Sequence, residues 1–190
     1  MSSIELASLT DTVKKLISAV GEDPTRHGLE KTPSRYVEAL GFLTSGYKAD
    51  LKEIIGDALF DETYDDMVIV RDIEFYSLCE HHMLPFYGRC HVGYIPRGKV
   101  IGLSKIPRLV DAFARRLQVQ ERLTHELGQA LATCLNPQGV AVIVEAQHLC
   151  MMMRGVQKQS SSTITSFVDG CFKNIETREE FMSHVRAKRL

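Results

Sequence analysis

The chain has 190 residues, of which 44% are hydrophobic and 25% are charged, as is usual for a globular protein with a buried core. Its formal net charge is −1 at pH 7, so no overall positive field attracts nucleic acid or an anionic membrane, and neither is expected as a partner. No apolar run approaches the ~18 residues of a membrane span, and no secretory signal is recognisable. We therefore expect a cytoplasmic protein whose five cysteines are reduced.

The N-terminal part of the sequence is predicted to be helical. Apolar residues recur at helical spacing over Leu6–Val20, and Gly21 is typical of the residue that ends a helix. A second helix is expected to begin at Thr32-Pro33, with the threonine as N-cap, and to end near Gly46. A short third helix is expected around Leu51.

Strand-forming residues dominate the rest of the chain. Two amphipathic helices separate the second and third predicted strands, and Thr177-Arg178-Glu179-Glu180 resembles the start of a C-terminal helix. This order predicts an α+β fold, with an antiparallel four-stranded sheet that carries helices on one side. Because open sheet edges favour pairing with another chain, a homo-oligomer is expected. The predicted strands are Met67–Leu78, Arg89–Ile95, Val140–Cys150 and Ser162–Val168, within a domain of residues 65–190 that follows a helical region of residues 1–64.

Two short clusters of sulfur and nitrogen donors lie far apart in the sequence. The first is Cys79-Glu80-His81-His82 and the second is His148-Leu149-Cys150. Thiolate and imidazole are donors that zinc prefers. Cys79 and His82 are three residues apart at a predicted turn, and His148 and Cys150 are two apart in a predicted strand, on one face. If Cys79, His82 and Cys150 converge, they form a three-ligand zinc site with an open fourth position, as is typical of catalytic zinc.

Each donor taken alone has a simpler interpretation. An isolated cysteine is usually a small buried hydrophobe, and an isolated histidine is usually a core group with its hydrogen bonds satisfied. Burying two paired clusters of such groups without a partner is costly, which favours a metal site. His81 and His148 lie beside the proposed ligands, where an imidazole with a pKa near ~6.5 exchanges protons at neutral pH. The spacing also leaves open that either histidine is a fourth ligand.

Polar groups that suit a nucleotide lie between and after the two clusters. Ser104 is expected to cap a helix that carries Lys105 and Arg108 in its first turn, and such a helix start suits a polyphosphate. Gln120-Glu121 has the donors and acceptors that match a guanine edge, although such a pair is more often only a favourable charge at a helix start. Arg154 is a further cation, close in sequence to the second cluster.

Together these motifs resemble the GTP cyclohydrolase I family, in its zinc-dependent type. The resemblance runs from about Asp23 to the C-terminus, with the motifs in the same order. It is carried by Ser77-Leu78-Cys79-Glu80-His81-His82, Tyr94-Ile95-Pro96, Ile101-Gly102-Leu103-Ser104-Lys105, Gln118-Val119-Gln120-Glu121-Arg122-Leu123-Thr124, His148-Leu149-Cys150, Arg154-Gly155-Val156 and Thr163-Ile164-Thr165-Ser166.

The resemblance implies a tunnelling fold, in which antiparallel sheets from several subunits join into a barrel. The toroidal oligomer of the family is typically a homodecamer, with GTP bound between subunits. The implied roles are zinc ligands for Cys79, His82 and Cys150, acid and base for His81 and His148, and proton handling for Ser104. Gln120 and Glu121 correspond to the residues that read guanine, while Lys105, Arg108 and Arg154, with Ser104, correspond to those around the ribose and triphosphate.

The implied reaction is hydrolytic opening of the imidazole ring of GTP. Zinc-activated water adds at C8, His148 protonates the neighbouring ring nitrogen, and C8 leaves as formate. The sugar then opens, with His81 and Ser104 as proton handlers, and closes on the exposed amine. The product is 7,8-dihydroneopterin triphosphate, the entry to folate or tetrahydropterin synthesis. The sequence lacks the long N-terminal extension of animal members, which favours a bacterial-type enzyme.

Two other functions compete with this interpretation. A related tunnelling-fold enzyme that acts on a downstream pterin usually holds zinc with three histidines, which disfavours it here. A non-catalytic purine- or pterin-binding protein with a structural zinc requires a fourth protein ligand. Because proteins with the same fold can catalyse different reactions, these functions are distinguished by the residues of the site and not by the fold.

Overall fold

The N-terminal unit consists of two helices. The structure, a computed structural model, describes residues 3–187, with side chains described from residue 7, and it divides into compact units of residues 1–45 and 46–190. In the first unit, α1 (Ser3–Ala19) contacts α2 (Thr32–Leu43). The expected helices are present, and Gly21 follows α1 with a φ of 90°. The predicted division between a helical region of residues 1–64 and a domain of residues 65–190 stays a prediction.

The start of α2 corrects one detail of the expectation. Thr32 is already helical, the N-cap position belongs to Lys31, and no side chain caps the helix. Pro33 follows in the first turn, where its missing N–H costs nothing. The helix ends at Leu43, before the expected Gly46, and a 3₁₀ turn follows over Ser45–Lys48.

A five-stranded sheet organises the second unit. Its order is β5-β2-β3-β6-β7, in which the four long strands are antiparallel and the short β5 pairs parallel with β2. The predicted four-stranded antiparallel sheet is therefore extended into a mixed sheet by β5, which was too short for a sequence pattern to reveal. The strands are β1 (Leu59–Asp61), β2 (Val68–Cys79), β3 (Pro85–Ile95), β4 (Lys99–Ile101), β5 (Leu117–Gln118), β6 (Gly139–His148) and β7 (Thr163–Gly170).

Two helices cover the first face of this sheet and form the main core. The helices of the unit are α3 (Leu51–Ile55), α4 (Lys105–Ala114), α5 (Gln120–Leu135), α6 (Leu149–Met152) and α7 (Ile175–Arg186). The helix α4 contacts β2, and α5 contacts β6 and β7. A Cβ at Gly128 of α5 would overlap the ring of Phe167 on β7, so glycine permits the close approach of this helix. That approach places the start of α5 beside the ends of the central strands.

The second face of the sheet is partly covered by α7, which corrects the expectation of helices on one side only. Ala141 and Ile143 of β6 point to this face and pack with Phe172 and Phe181 in a second apolar cluster. As predicted, β6 is buried on both faces near its start, because its side chains alternate between the two cores. The helix α7 begins at Ile175 after Asn174, two residues before the expected Thr177. Within residues 3–187, no helix has both the length and the apolar character needed to cross a bilayer.

A bulge in β2 holds a buried histidine on this second face. Asp72 has a φ of 59° where the register between β2 and β3 shifts. Its backbone N–H donates to Nδ1 of His91 over 3.2 Å, so this nitrogen acts as an acceptor and must be unprotonated. Burial lowers the pKa of His91, Asp72 and Glu145 oppose that shift, and Arg71 adds to it.

This histidine predicts a loss of stability in mild acid. The pKa of His91 is lower in the folded protein than in the unfolded chain, where it is near ~6.5. As the pH drops below ~6.5, the unfolded chain therefore binds more protons than the folded protein, and the free energy of unfolding falls. Because His91 binds one proton, it can change the free energy of unfolding by at most about 1.4 kcal/mol per pH unit. In urea titrations between pH 7.5 and 5, His91→Asn, whose amide oxygen can accept the Asp72 N–H, should lose less stability than the wild type. Equal slopes for the two proteins would contradict this role of His91.

Candidate active site

The first pair of metal-capable side chains lies in the tight turn between β2 and β3. The backbone N–H of Cys79 donates to Leu84 O over 2.8 Å, and the N–H of Met83 returns to Cys79 O over 2.7 Å. Met83 adopts a φ of 53°, which closes the turn within four residues. This turn brings Cys79, which is buried, and His82, which is exposed, to one side of the hairpin. The predicted turn after the strand is confirmed, and it brings both side chains into one group that could hold a metal ion.

The second cluster differs from its predicted geometry, since Cys150 does not lie in a strand. The strand β6 ends at His148, and Cys150 belongs to the single helical turn α6. The strand stops there because His148 pairs with Phe86, next to Pro85 at the start of β3. Proline has no N–H to continue the ladder. The helical turn, and not strand alternation, brings the Cys150 thiol to the hairpin.

Three donor atoms then form one group. The thiols of Cys79 and Cys150 and a ring nitrogen of His82 all lie within 4.8 Å of one another. A tetrahedral ion with bonds of about 2.0–2.3 Å needs donors roughly 3.5–4 Å apart, which small side-chain rotations achieve. Among the residues that the structure describes, neither His81 nor His148 belongs to this group. The donor set fits a divalent ion of the zinc class with three protein ligands.

Charged and basic groups surround these donors. Burial, followed by the neighbouring Cys79, raises the pKa of the Cys150 thiol, whereas Arg154 lowers it. The guanidinium of Arg154 lies 3.4 Å from Nε2 of His82 and donates to Cys150 O over 3.4 Å. His81 is also close, with its Nδ1 3.9 Å from the Cys79 sulfur. The site therefore places the Cys150 thiol, whose pKa is raised by burial, close to the positive charge of Arg154.

His148 is held in a defined orientation beside the group. Its ring stacks on Phe86, with centroids 4.7 Å apart and planes 3° from parallel. Its Nε2 lies 2.8 Å from Oε1 of Gln120. Burial lowers the pKa of His148, and the carboxylate of Glu121 opposes that shift. A neutral imidazole near a carboxylate is suited to exchanging a proton with a ligand.

The two residues expected to read guanine differ in their surroundings. Both lie in the first turn of α5, which begins three residues before the expected Leu123. The amide of Gln120 is 1% exposed, and its hydrogen bonds go to protein atoms. Glu121 is exposed, so its carboxylate is the one that is accessible to a ligand.

The residues expected around the triphosphate lie at the start of α4. Ser104 occupies the N-cap position, but its hydroxyl makes no capping hydrogen bond because its backbone is already helical, with φ −67° and ψ −15°. Ser104 and Arg108 are exposed, and Lys105 is half-buried. Within the described residues, none of these three side chains makes an internal hydrogen bond or ion pair. Their hydroxyl and charges are therefore available to a ligand.

An ion pair that the sequence analysis did not single out ties the metal turn to α5. Arg122 donates from two nitrogens to the two carboxylate oxygens of Glu80, over 2.6 and 3.1 Å. The backbone N–H of Glu80 also donates to Gln118 O over 3.0 Å. Both charged residues lie within the quoted motifs, but nothing in their spacing indicates a contact between positions 42 residues apart. This pair connects the turn with Cys79 and His82 to the helix with Gln120.

The arrangement as a whole combines a three-donor metal group, an oriented imidazole and an accessible carboxylate at neighbouring strand ends. Such a site can activate water, transfer a proton and hold a base with N–H donors.

Comparison with known proteins agrees with this chemistry. The family model described as GTP cyclohydrolase I matches residues 9–186. A protein named GTP cyclohydrolase 1 from Campylobacter curvus (strain 525.92) is 57% identical over 181 residues, covering 95% of each chain. A protein of the same name from Dictyostelium discoideum is 55% identical over 97% of this chain and 80% of its own length.

A third relative extends the similarity. The GTP cyclohydrolase 1 of Campylobacter jejuni subsp. jejuni serotype O:6 (strain 81116 / NCTC 11828) is 58% identical over 93% of this chain and 94% of its own. Among solved structures, the archaeosine synthase QueF-Like in its apo form aligns with 57% of this chain and 97% of its own, with a TM-score of 0.48 and 20% identity, which is too low to support a functional argument. The near-complete matches at high identity place the chain in the GTP cyclohydrolase I family.

Proposed function

We propose that this member of the GTP cyclohydrolase I family opens the imidazole ring of GTP by hydrolysis and releases C8 as formate. The remaining atoms rearrange to 7,8-dihydroneopterin triphosphate, which a folate or tetrahydropterin pathway would consume. The observation that carries this proposal is the convergence of Cys79, His82 and Cys150 beside the oriented ring of His148.

Zinc is the ion that we propose for the three-donor group. Two thiolates and one imidazole form a donor set that favours zinc over harder ions such as magnesium. When bound, such an ion supplies Lewis acidity that makes a hydrolytic nucleophile available near neutral pH. The neighbouring Arg154 adds positive charge that lowers the pKa of the Cys150 thiol and so favours its ionised form.

The histidines handle the protons of the proposed reaction. His148 gives a proton to the imidazole nitrogen next to C8 as the ring opens, because its half-buried ring is held in place by Phe86 and Gln120. His81, which is exposed beside Cys79, and Ser104 exchange protons during the opening of the sugar.

Charged residues hold the two ends of the substrate. Glu121 accepts hydrogen bonds from the N–H groups of guanine, a role for which we also predicted Gln120. Lys105, Arg108 and Arg154, with Ser104, hold the ribose and triphosphate. Free cations near the start of a helix of ten residues suit a polyanion.

We also propose that the active chain is a toroidal homo-oligomer with a tunnelling fold, such as a decamer, and that it works in the cytoplasm. Large apolar side chains are exposed next to the site residues, namely Leu103 at 62%, Met153 at 61% and Val156 at 60%. Exposed apolar side chains around a site are typical of a surface that another subunit covers. The cysteines are free thiols, which fits a reducing compartment.

Incubation of the purified protein with GTP tests the proposed reaction. We expect stoichiometric formate and, after oxidation, a fluorescent pterin. A preparation with bound metal that yields neither product would refute the proposal. A non-catalytic binding protein would bind GTP and return it unchanged.

Replacing Glu121 by glutamine is expected to weaken guanine recognition. An amide offers one acceptor in place of two, and a hydrogen bond to a charged acceptor contributes about 1.5–3 kcal/mol. We therefore expect kcat/KM for GTP to fall about 10- to 100-fold, mainly through KM. Steady-state kinetics would measure this change, with the exposed Glu179→Gln on α7 as the control. Equal turnover of ATP and GTP by the wild type would contradict the proposed role of Glu121.

A further inference from the structure

The buried amide of Gln120 has a fixed orientation. Its Nε2 lies 3.0 Å from Val144 O, 2.9 Å from Thr163 O and 3.1 Å from Thr165 Oγ1. Two of these three partners are backbone carbonyls, which only accept hydrogen bonds. The opposite amide orientation would direct Oε1 at two carbonyl oxygens, so the nitrogen must face β6 and β7.

Two threonines close a ring of hydrogen bonds around this amide. Thr124 Oγ1 donates to Gln120 O over 2.8 Å and lies 2.6 Å from Thr165 Oγ1. Because the single hydroxyl proton of Thr124 is used by that carbonyl, Thr165 must donate to Thr124. The two hydrogens of Gln120 Nε2 are shared among three acceptors, which are Val144 O, Thr163 O and the hydroxyl oxygen of Thr165. All three acceptors face the nitrogen, which holds the amide in this orientation.

The oxygen of the Gln120 amide, Oε1, determines which ring nitrogen of His148 carries the hydrogen. Oε1 of Gln120 can only accept a hydrogen bond, so the Nε2 atom of His148 at 2.8 Å must carry the hydrogen. In the neutral ring, Nδ1 is then the nitrogen with the free lone pair. Within the described part of the chain, no hydrogen bond engages Nδ1. Stacking on Phe86 fixes the plane of the same ring.

We propose that Gln120 is a positioning residue that acts through His148, and that its side chain does not read guanine. It holds the imidazole in the tautomer with hydrogen on Nε2, so that protons enter and leave the ring at Nδ1. This inference rests on the proposed function, since it assigns the proton-transfer atom of that reaction. This positioning role also explains why Gln120 is only 1% exposed, although it lies in the first turn of a helix, where polar residues usually face solvent.

Kinetics of Gln120→Met separate positioning from base reading. Methionine has a similar length but cannot accept the hydrogen bond of His148. We expect kcat for GTP to fall about 10- to 100-fold, with KM, bound metal and the preference for GTP over ITP unchanged. ITP lacks the exocyclic amine of guanine, so its relative rate reports base reading. Thr165→Val, which contacts neither His148 nor the proposed substrate groups, should lower kcat in the same way but less.

The control is Gln118→Met. Gln118 is equally buried, but its amide donates to Phe113 O and Glu126 and does not contact His148. Its kcat and KM should stay within about twofold of the wild type. A rise in KM with loss of the GTP preference in Gln120→Met would show that Gln120 reads the base. An unchanged kcat in both Gln120→Met and Thr165→Val would also overturn the inference.

Spectroscopy of the wild-type holoenzyme gives a readout that requires neither activity nor a folded Gln120 variant. Solid-state ¹⁵N spectra of histidine-labelled protein at pH 8, with the His148 signals assigned by their loss in His148→Ala, should show a protonated Nε2 and an unprotonated Nδ1. The opposite tautomer would refute the inference. If the wild type makes no formate or pterin from GTP, the proposed function fails, whereas the spectra still decide the tautomer.

Discussion

Replacing Cys150 by serine is expected to remove the bound divalent ion and to lower GTP turnover at least about 10³-fold. The serine hydroxyl is a much weaker ligand than a thiolate because it does not ionise near neutral pH and is less polarizable. The site has three protein donors, so the loss of one leaves only Cys79 and His82 to hold the ion. Metal analysis per chain, together with formate release, measures both effects.

The matched control is Cys134→Ser on α5. Cys134 is a partly buried free thiol that packs against the main core and is outside the metal group. This variant should keep one ion per chain and its activity. Full metal content in Cys150→Ser would show that another residue completes the site, and the ligand assignment would then be wrong.

Replacing His148 by alanine should strongly lower turnover while leaving both bound metal and GTP affinity nearly intact. A positioned general acid contributes about 10²- to 10⁴-fold to the rate, so we expect kcat to fall by that factor. In the proposed function, GTP is bound by other groups, above all Glu121 and the cations near α4 and α6, so we expect the dissociation constant to change little. Rapid-quench assays and equilibrium binding of GTP measure the two quantities separately.

This variant also distinguishes an enzyme from a binding protein with a structural zinc. The exposed His125, whose ring meets the edge of Phe167, lies on α5 outside the site, and His125→Ala provides the control. A His148→Ala protein that forms formate within tenfold of the wild-type rate would exclude His148 as the proton donor. Loss of metal in the same variant would indicate that His148 is a ligand, the alternative that spacing alone left open.

Local sequence patterns were sufficient for most elements of the fold. Periodicity, turn residues and strand-forming runs depend on interactions within a few residues, so α1, the four long strands and the turn after Cys79 were predictable. The three side chains of the metal-capable group could also be predicted, because the chemistry of thiols and imidazoles does not depend on the fold. The motifs around them were specific enough to indicate the family.

The tertiary structure decided how these elements meet. The strand β5 forms because two residues pair with the edge of β2. The helix α7 covers the second face because Phe181, together with Phe172, packs there against Ala141 and Ile143. Cys150 reaches the metal group through a helical turn because β3 starts at a proline.

The orientation of Gln120 was equally inaccessible to sequence reasoning. A glutamine beside a glutamate at a helix start resembles a ligand-binding pair. In many proteins, however, such a pair is exposed to solvent, and its glutamate only adds a favourable charge to the helix start. Here Val144, Thr163 and Thr165, which lie 24 to 45 residues away, direct its amide inward. The residue types determined which donors and acceptors the chain possesses. Only packing decided which of them are satisfied internally and which remain for a ligand, because that depends on contacts between distant segments.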